Sequence, residues 1–162
     1  LNAIFQSFKA LADKKKSIYD EDLIQMAMDY DIEKSYELKT ARINSVKDGD
    51  STCEAEVRFG EEIKKVKAKG DGPVSALYSA IVQASDLKGK LVGFTVNAIT
   101  PEKEAVGMVN IEWKDERGKS WFGHGSDTDI TIASGKALID VLNRMEIRRV
   151  HEKHQGIIDF TI

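Results

Sequence analysis

The sequence predicts an α+β protein in which a βββα unit occurs twice, with pseudo-twofold symmetry between the copies. Apolar residues alternate with polar ones over 36–70 and again over 90–125, which is the period of strands that bury one face. After each region the apolar spacing lengthens to that of a helix. A three-stranded sheet with one helix leaves apolar surface exposed, so we expect the copies to pack against each other or against a second chain.

The first copy follows a segment with helical spacing. Residues 1–32 predict two helices. Turn signals at 48–50 and 59–62 then separate three strands within 36–70, which predicts an antiparallel meander. From residue 72 to the region 85–88 the apolar residues lie on one helical face, and a proline stands in the first helical turn.

The second copy repeats this order. Its strands and its helix are predicted at 90–99, 107–116, 119–125 and 126–145. Ser126, Asp127 and Thr128 are all residue types that cap helix N-termini, so the helix is expected to begin among them. Residues 150–162 are polar and then apolar, which fits either an extra strand or a disordered end.

Two glycine pairs allow the copies to be superposed. Gly70–Gly72 lies at the end of the first set of strands, and Gly123–Gly125 lies at the end of the second (123 − 70 = 53). At the same offset Ala80 corresponds to Ala133. The sequence therefore predicts that the two glycine pairs occupy equivalent places in an internal duplication.

Composition and charge argue against several classes of function. The net charge of the 162 residues is −3 and the pI is near 5.7, so a nucleic-acid partner is not expected. The single cysteine, Cys53, allows no intrachain disulfide and fits a reducing cytoplasm. No apolar run reaches the roughly 18–20 residues of a membrane helix, so no membrane partner is expected. Because the chain begins at Leu1 rather than at methionine, we expect it to be part of a longer protein.

The stretch KGDGPVSALYSAI at 69–81 raises the question of a phosphate-binding loop. It lacks the third glycine of a dinucleotide fingerprint and the Lys-Ser/Thr of a P-loop. Pro73 removes one amide donor, and Asp71 would repel a phosphate. Two interpretations remain. The glycines permit tight turns and close packing, or the two helix starts bind a small carboxylate while nearby acids or carbonyls bind an ammonium group.

Other side chains do not form a recognisable catalytic or cofactor site. The sequence contains no nucleophile–base set with familiar spacing, no paired catalytic carboxylates and no metal motif. His151 and His154 are spaced for a metal on a helix, but a third ligand is missing nearby, so we expect surface histidines. Trp113 and Trp121 lie on adjacent predicted strands and are expected to be packing residues. We therefore expect no cofactor in this chain.

Three motifs resemble one family, in the same order along the chain. They are 8-FKALADKKKSIYDEDL-23, 70-GDGPVSALYSAI-81 and 123-GHGSDTDITIASGKALIDVLNR-144. The first resembles the helical linker subdomain of the 2-isopropylmalate synthase family, in which citramalate synthase is a close relative. The other two resemble the matching glycine motifs in the C-terminal part of that family, and the resemblance covers nearly all of the chain.

The resemblance implies a domain organisation. It implies a helical linker subdomain at 1–33, a regulatory domain at 34–149 with repeats 34–88 and 89–149, and a tail at 150–162. It further implies a cytoplasmic homodimer in which the sheets pack face to face with the helices outside. A divalent metal and the acetyl-CoA and 2-oxoacid sites would belong to a catalytic barrel that this chain lacks, so the chain alone should be inactive.

The resemblance also implies an effector, leucine, which inhibits the condensation of acetyl-CoA with 2-oxoisovalerate in leucine biosynthesis. Where the family usually has aspartate this chain has Ser75, and Asp71, Asp127 or Asp129 could supply the missing charge. Leu91, Phe94, Ala98 and Val106 would enclose the aliphatic side chain. The residues implied to bind the effector are Gly70, Gly72, Pro73, Val74, Ser75, Ala76, Leu91, Phe94, Ala98, Val106, Ser126, Thr128 and Asp129.

Other functions remain open at this point. A citramalate synthase would bind isoleucine instead, and leucine and isoleucine differ only in the position of one branch. A structural dimerisation domain that has lost effector binding is a second alternative, suggested by Ser75. A free-standing small enzyme is the third, and it has the least support because no catalytic set is present.

Overall fold

The computed structural model describes residues 35–98 and 106–161 of the chain. Within these residues it confirms the α+β class and the duplicated βββα order. The chain divides into two compact units, and one of them, Lys34–Asn143, contains all six described strands. The two helices predicted within 1–32 lie outside the described residues.

Repeat 1 is a meander of three antiparallel strands followed by a helix. Its elements are β1 (Tyr36–Asn44), β2 (Ser51–Phe59), β3 (Glu62–Gly70) and α1 (Pro73–Ser85). A two-residue turn joins β2 to β3, and its first residue, Gly60, has a φ of 61° that glycine adopts without strain. Cys53, Ala55 and Val57 alternate along β2 and are buried on the face that α1 covers.

The other face of the first sheet is charged. Glu54 and Glu56 point away from α1 and form ion pairs with Lys67 and Lys65 on β3, at 3.0 and 3.4 Å. These exposed pairs each contribute little to stability. They make this a solvated face, as the strict alternation of the strand sequence predicts.

Repeat 2 has the same order. Its elements are β4 (Lys90–Ala98), β5 (Gly107–Lys114), β6 (Ser120–Asp127) and α2 (Ile130–Thr161). Val109, Ile111 and Trp113 are buried along β5, as Cys53, Ala55 and Val57 are along β2. The two sheets have the strand orders β1-β2-β3 and β4-β5-β6.

The helix α2 is longer than predicted. It continues to Thr161, so the extra strand or disordered end predicted for 150–162 is wrong. Residues 144–155 contain no glycine or proline and are rich in arginine, glutamate and lysine, which favour helix. The sequence therefore has no stop signal near residue 145, where the helix was expected to end.

Both sheets carry a bulge at the same place. The register shifts between Leu38 and Thr40 on β1, and between Leu91 and Gly93 on β4. Leu38 pairs with Val57 of β2, and Leu91 pairs with Trp113 of β5. Val57 and Trp113 occupy equivalent positions in their strands. A bulge retained at one position in both copies is a feature of the duplicated unit itself.

The offset between the copies grows along the chain. It is 53 between β1 and β4 (91 − 38 = 53) but 57 between the helices (130 − 73 = 57). The predicted match of Gly70–Gly72 with Gly123–Gly125 is therefore wrong by four residues. Four residues are about one helical turn and two strand periods, so the apolar pattern is the same at either register.

The contact between the two helices supports the corrected register. The Tyr78 hydroxyl of α1 donates a hydrogen bond to the Ser134 carbonyl of α2 at 2.9 Å, and the Leu77 side chain packs against Gly135. At an offset of 57, Leu77 corresponds to Ser134 and Tyr78 to Gly135. Each contact is thus the image of the other, and a pseudo-twofold axis passes between the helices.

Candidate functional site

The start of α1 has no side-chain cap. Its N-cap is Gly72, which is extended (φ −154°, ψ 177°) and makes no side-chain capping bond, and Pro73 is the first helical residue. The Ala76 amide donates to the Gly72 carbonyl at 2.9 Å. The N–H groups of Val74 and Ser75 belong to the first turn, where helical amides have no intrahelical acceptor. This end therefore presents amide donors and the positive end of a helix dipole.

Gly70 is needed for the helix to begin where it does. A Cβ at this position would collide with the Ala76 nitrogen and would lie 2.6 Å from the Ser75 hydroxyl oxygen. The first turn of α1 thus packs directly on the end of β3. Ser75 itself is exposed on this turn. Among the implied effector residues, those from Gly70 to Ala76 form one local group within repeat 1.

The start of α2 is capped by carboxylates. Asp129 precedes the helix, and its Oδ1 accepts hydrogen bonds from the amides of Thr131 at 2.8 Å and Ile132 at 3.4 Å. The Asp127 Oδ1 accepts from the Asp129 amide at 2.9 Å. The predicted cap among Ser126, Asp127 and Thr128 is therefore wrong. β6 continues through Asp127, whose side chain closes a turn instead of capping the helix.

Lys136 completes the charge arrangement at the start of α2. Its ammonium group lies 2.8 Å from the Asp127 Oδ2 and 3.3 Å from the Ser126 carbonyl oxygen. This bond, and then the Asp129 amide, hold the pKa of Asp127 below its usual value. Asp127 is thus already paired, whereas the cap uses only Oδ1 of Asp129 and leaves its Oδ2 to accept from a ligand.

The apolar residues of β4 are more exposed than their counterparts. Leu91, Phe94 and Val96 lie on the inner face of the second sheet, yet they are 38, 39 and 46% exposed. The equivalent residues of β1 (Leu38, Ala41 and Ile43) are half-buried. The inner face of β4 is therefore an apolar surface that the chain itself leaves partly uncovered.

The structure distributes the implied effector residues over two helix starts and one strand. Ala98 pairs with Gly107, which pairs with Asp127, so Ala98, Val106 and the start of α2 lie at one end of the second sheet. Phe94 lies midway along β4. Leu91 lies seven residues from Ala98, roughly 23 Å along a strand, at the opposite end of the sheet. The resemblance implies that these residues enclose one aliphatic side chain, and within the described residues they are distributed along β4 and the residue before β5.

Three polar residues with defined contacts were not singled out from the sequence. They are Lys136, the Tyr78 hydroxyl and Asn143, whose side chain bonds the backbone of β1. Tyr78 belongs to the apolar face predicted from residue 72 onwards, and a buried tyrosine usually finds a partner for its hydroxyl. The partners of Lys136 and Asn143 lie 9 and 107 residues away, where helical periodicity gives no signal.

Two other kinds of site receive no support from the described part of the chain. In it no group of three or more histidine, cysteine, aspartate or glutamate residues could hold a metal ion. No helix among the described residues is long and apolar enough to cross a membrane. Cys53 is fully buried, and burial raises the pKa of its thiol, as expected of a core residue.

Comparisons with known proteins agree on one family. The family model described as "LeuA allosteric (dimerisation) domain" matches residues 17–146. The 2-isopropylmalate synthase of Gloeobacter violaceus is 33% identical over 159 residues, which cover 96% of this chain and 29% of the relative. That of Nitrosococcus oceani is 38% identical over 148 residues, covering 90% and 29%. That of Syntrophus aciditrophicus is 36% identical, covering 90% and 28%. The chain thus spans less than a third of the length of these relatives.

Proposed function

The chain belongs to the family of LeuA allosteric (dimerisation) domains, and from this premise we propose that it binds leucine as the feedback inhibitor of a 2-isopropylmalate synthase. The protein that contains it would condense acetyl-CoA with 2-oxoisovalerate in the cytoplasm. The catalytic barrel and its divalent metal would lie outside this chain. Binding can alter turnover only if leucine prefers one arrangement of the whole protein over another.

The opposite chemistry of the two helix starts carries this proposal. A free amino acid has a carboxylate and an ammonium group on one carbon. The uncapped start of α1, at Gly72–Ser75, offers amide donors for the carboxylate. The start of α2 offers carboxylate oxygen, chiefly the Asp129 Oδ2, for the ammonium group. One effector held by both kinds of helix start would join the two repeats of a chain or of a dimer.

The inner face of β4 supports both the selectivity and the dimer. Phe94 and Val96 are exposed although they lie on the side of the sheet that elsewhere forms the core. We expect a second copy of the chain to cover them and to enclose the aliphatic side chain of the effector between the copies. Burying a phenylalanine in this way contributes about 1.5–3 kcal/mol.

Titration calorimetry of the purified chain tests the proposal with three ligands. Leucine should bind with measurable heat. Leucinamide lacks the carboxylate and 4-methylpentanoate lacks the ammonium group, so each should bind at least about tenfold more weakly, the equivalent of about 1.4 kcal/mol. Absence of heat with both leucine and isoleucine at millimolar concentration would refute the proposal. Tighter binding of isoleucine than of leucine would support the regulatory domain of a citramalate synthase instead.

A second candidate is a dimerisation domain without an effector. The neutral and exposed Ser75 favours it, because a hydroxyl cannot offer an ammonium group the charge of an aspartate. A dimer in sedimentation, together with no thermal shift on adding leucine, is the result this candidate predicts. The Ser75→Asp variant sharpens the choice. A gain of leucine affinity would show that the ammonium group lies at the start of α1, whereas a loss would agree with a carboxylate bound there.

A further inference from the structure

Asn143 holds the first residue of β1 with two hydrogen bonds. Its Oδ1 accepts from the Tyr36 amide at 2.6 Å, and its Nδ2 donates to the Tyr36 carbonyl at 3.0 Å. The side-chain amide thereby takes the place that a neighbouring strand would have at this edge of the sheet. We call this pair of bonds the Asn143 clamp. It acts where the chain enters repeat 1, because β1 begins at Tyr36.

The ordered start of β1 has further supports. The Tyr36 ring stacks on Phe59 with 4.4 Å between ring centroids, and the Gly60 amide donates to the Ser35 carbonyl at 3.2 Å. Both contacts lie within repeat 1. The clamp joins this point to a helix of the other repeat, 107 residues further along the chain.

The helix α2 is fitted closely to its own sheet. A Cβ at Gly123 or Gly125 would collide with the carbonyl oxygens of Ala137 or Ala133, so α2 lies against β6 with no room to spare. The Asp140 Oδ2 also accepts a hydrogen bond from the His124 amide at 2.8 Å. A displacement of repeat 2 therefore carries α2 with it.

The contacts of α2 with repeat 1 include two directional ones. Gly135 packs on Leu38 and Leu77, and the Tyr78–Ser134 hydrogen bond and the Asn143 clamp join α2 to α1 and to β1. A hydrogen bond loses most of its strength when its atoms move apart by about 1 Å. A small displacement between the repeats would therefore weaken these two hydrogen-bonded contacts first. Of the two, only the clamp touches the residue at which the chain enters the domain.

We propose that the Asn143 clamp transmits effector binding out of the two repeats, because binding changes how firmly these two hydrogen bonds hold Tyr36, the first residue of β1. This inference rests on the proposed function, since it requires an effector that joins the helix starts of both repeats. The effector end of α2 begins at Ile130, 13 residues before Asn143, which places the two ends about 20 Å apart along a rigid helix. Asn143 is thus a positioning residue rather than one that touches the ligand.

The test uses the full-length protein that contains this chain and the variant Asn143→Asp. The aspartate is isosteric and still accepts from the Tyr36 amide, but it cannot donate to the Tyr36 carbonyl. We expect leucine to bind the variant with a Kd within about twofold of the original, by calorimetry. Because occupancy is then nearly unchanged, we expect the inhibition at saturating leucine to fall to less than about half of the original, with uninhibited kcat unchanged.

The matched control is Asp140→Ala, one turn earlier on α2. It removes a bond to the edge of β6 inside repeat 2 and leaves the clamp intact. Inhibition at saturating leucine should stay close to that of the original. Equal loss of inhibition in both variants, or unchanged inhibition in Asn143→Asp, would overturn the inference. Absence of leucine binding to the unmodified protein would instead refute the proposed function.

Amide hydrogen exchange of the unmodified protein tests the same inference without a substitution, so a variant that folds poorly cannot affect the result. Leucine should change the protection of the Tyr36 amide by about tenfold or more, while the amides of β2 in the centre of the sheet change little. A protein that leucine inhibits, but in which the protection of Tyr36 stays the same, would contradict the role of the clamp.

Discussion

The two repeats share one fold but differ in three places that decide what each can do. On the third strand repeat 1 has Val66 and Ala68 where repeat 2 has Gly123 and Gly125. Before the helix, repeat 1 has Gly72 where repeat 2 has Asp129, and on the first strand repeat 1 has Ala41 where repeat 2 has Phe94. Repeat 1 thus offers bare amides, and repeat 2 offers carboxylates and an uncovered apolar strand. The duplicated scaffold is therefore the same in both repeats, whereas the chemistry at their helix starts and first strands has diverged.

The glycines of β6 should show the largest effect. The substitution Gly125→Ala places a Cβ against the Ala133 carbonyl and 2.5 Å from the Ala137 amide nitrogen. Because both obstacles are backbone, we expect a loss of about 3 kcal/mol of unfolding free energy in urea denaturation. The reverse change at the equivalent position, Ala68→Gly, should cost only about 1 kcal/mol. Equal losses of unfolding free energy in the two variants would show that α1 and α2 pack equally closely on their sheets.

The exposed face of β4 gives the next effect. The variant Phe94→Ser should raise the dimer dissociation constant by about 100-fold in sedimentation, because each copy loses a buried aromatic side chain. The control is Ile63→Ser, since Ile63 is 50% exposed but lies on the charged face of repeat 1. It should change dimerisation by less than about threefold. A weakened dimer in the control, or an intact one in Phe94→Ser, would place the interface elsewhere.

The bond between the helices should have an intermediate effect. Tyr78→Phe removes the hydroxyl that donates to the Ser134 carbonyl and should cost about 1 kcal/mol. Both tryptophans of the chain lie in repeat 2, so their fluorescence reports on that repeat although the change is in repeat 1. We expect the fluorescence and the circular dichroism transitions in urea to shift together. A shift in circular dichroism alone would show that the repeats unfold separately.

Acid titration should reveal the smallest difference. Lys136 lowers the pKa of Asp127 in the folded protein, so this carboxylate stabilises the fold above its unfolded pKa of about 3.9. That contribution is lost as the pH falls through the folded pKa. Lys136→Met should remove well under 1 kcal/mol at pH 7, because the pair is partly exposed. The variant and the original should converge below about pH 3. A difference that persists there would rule out the ion pair as its cause.

The sequence predicted the elements better than their register. Alternation and turn signals located the strands and α1 because each depends on neighbouring residues. The predicted equivalence of the two glycine pairs was wrong because a shift of four residues in the alignment of the repeats preserves both the helical and the strand pattern. The prediction of the α2 N-cap failed for a similar reason. The consecutive Ser, Asp, Thr and Asp residues can all cap a helix, and only the length of β6 decides among them.

The candidate site was predicted less completely than the fold. The acidic start of α2 and the apolar strand β4 could be read from residue types. The ion pair of Lys136, the Tyr78–Ser134 bond and the Asn143 clamp depend on how the repeats fold back, which sequence spacing does not encode. The role of Ser75 likewise depends on what faces it across the effector, and this is set by the packing of the copies.

A crystal structure of this chain grown with leucine tests the central claim most directly. The account predicts one leucine per chain, with its carboxylate on the amides of Val74 and Ser75 at an α1 start and its ammonium group on Asp129 at an α2 start. The aliphatic side chain should lie against Phe94. Leucine bound within a single repeat, touching only one kind of helix start, would contradict the account.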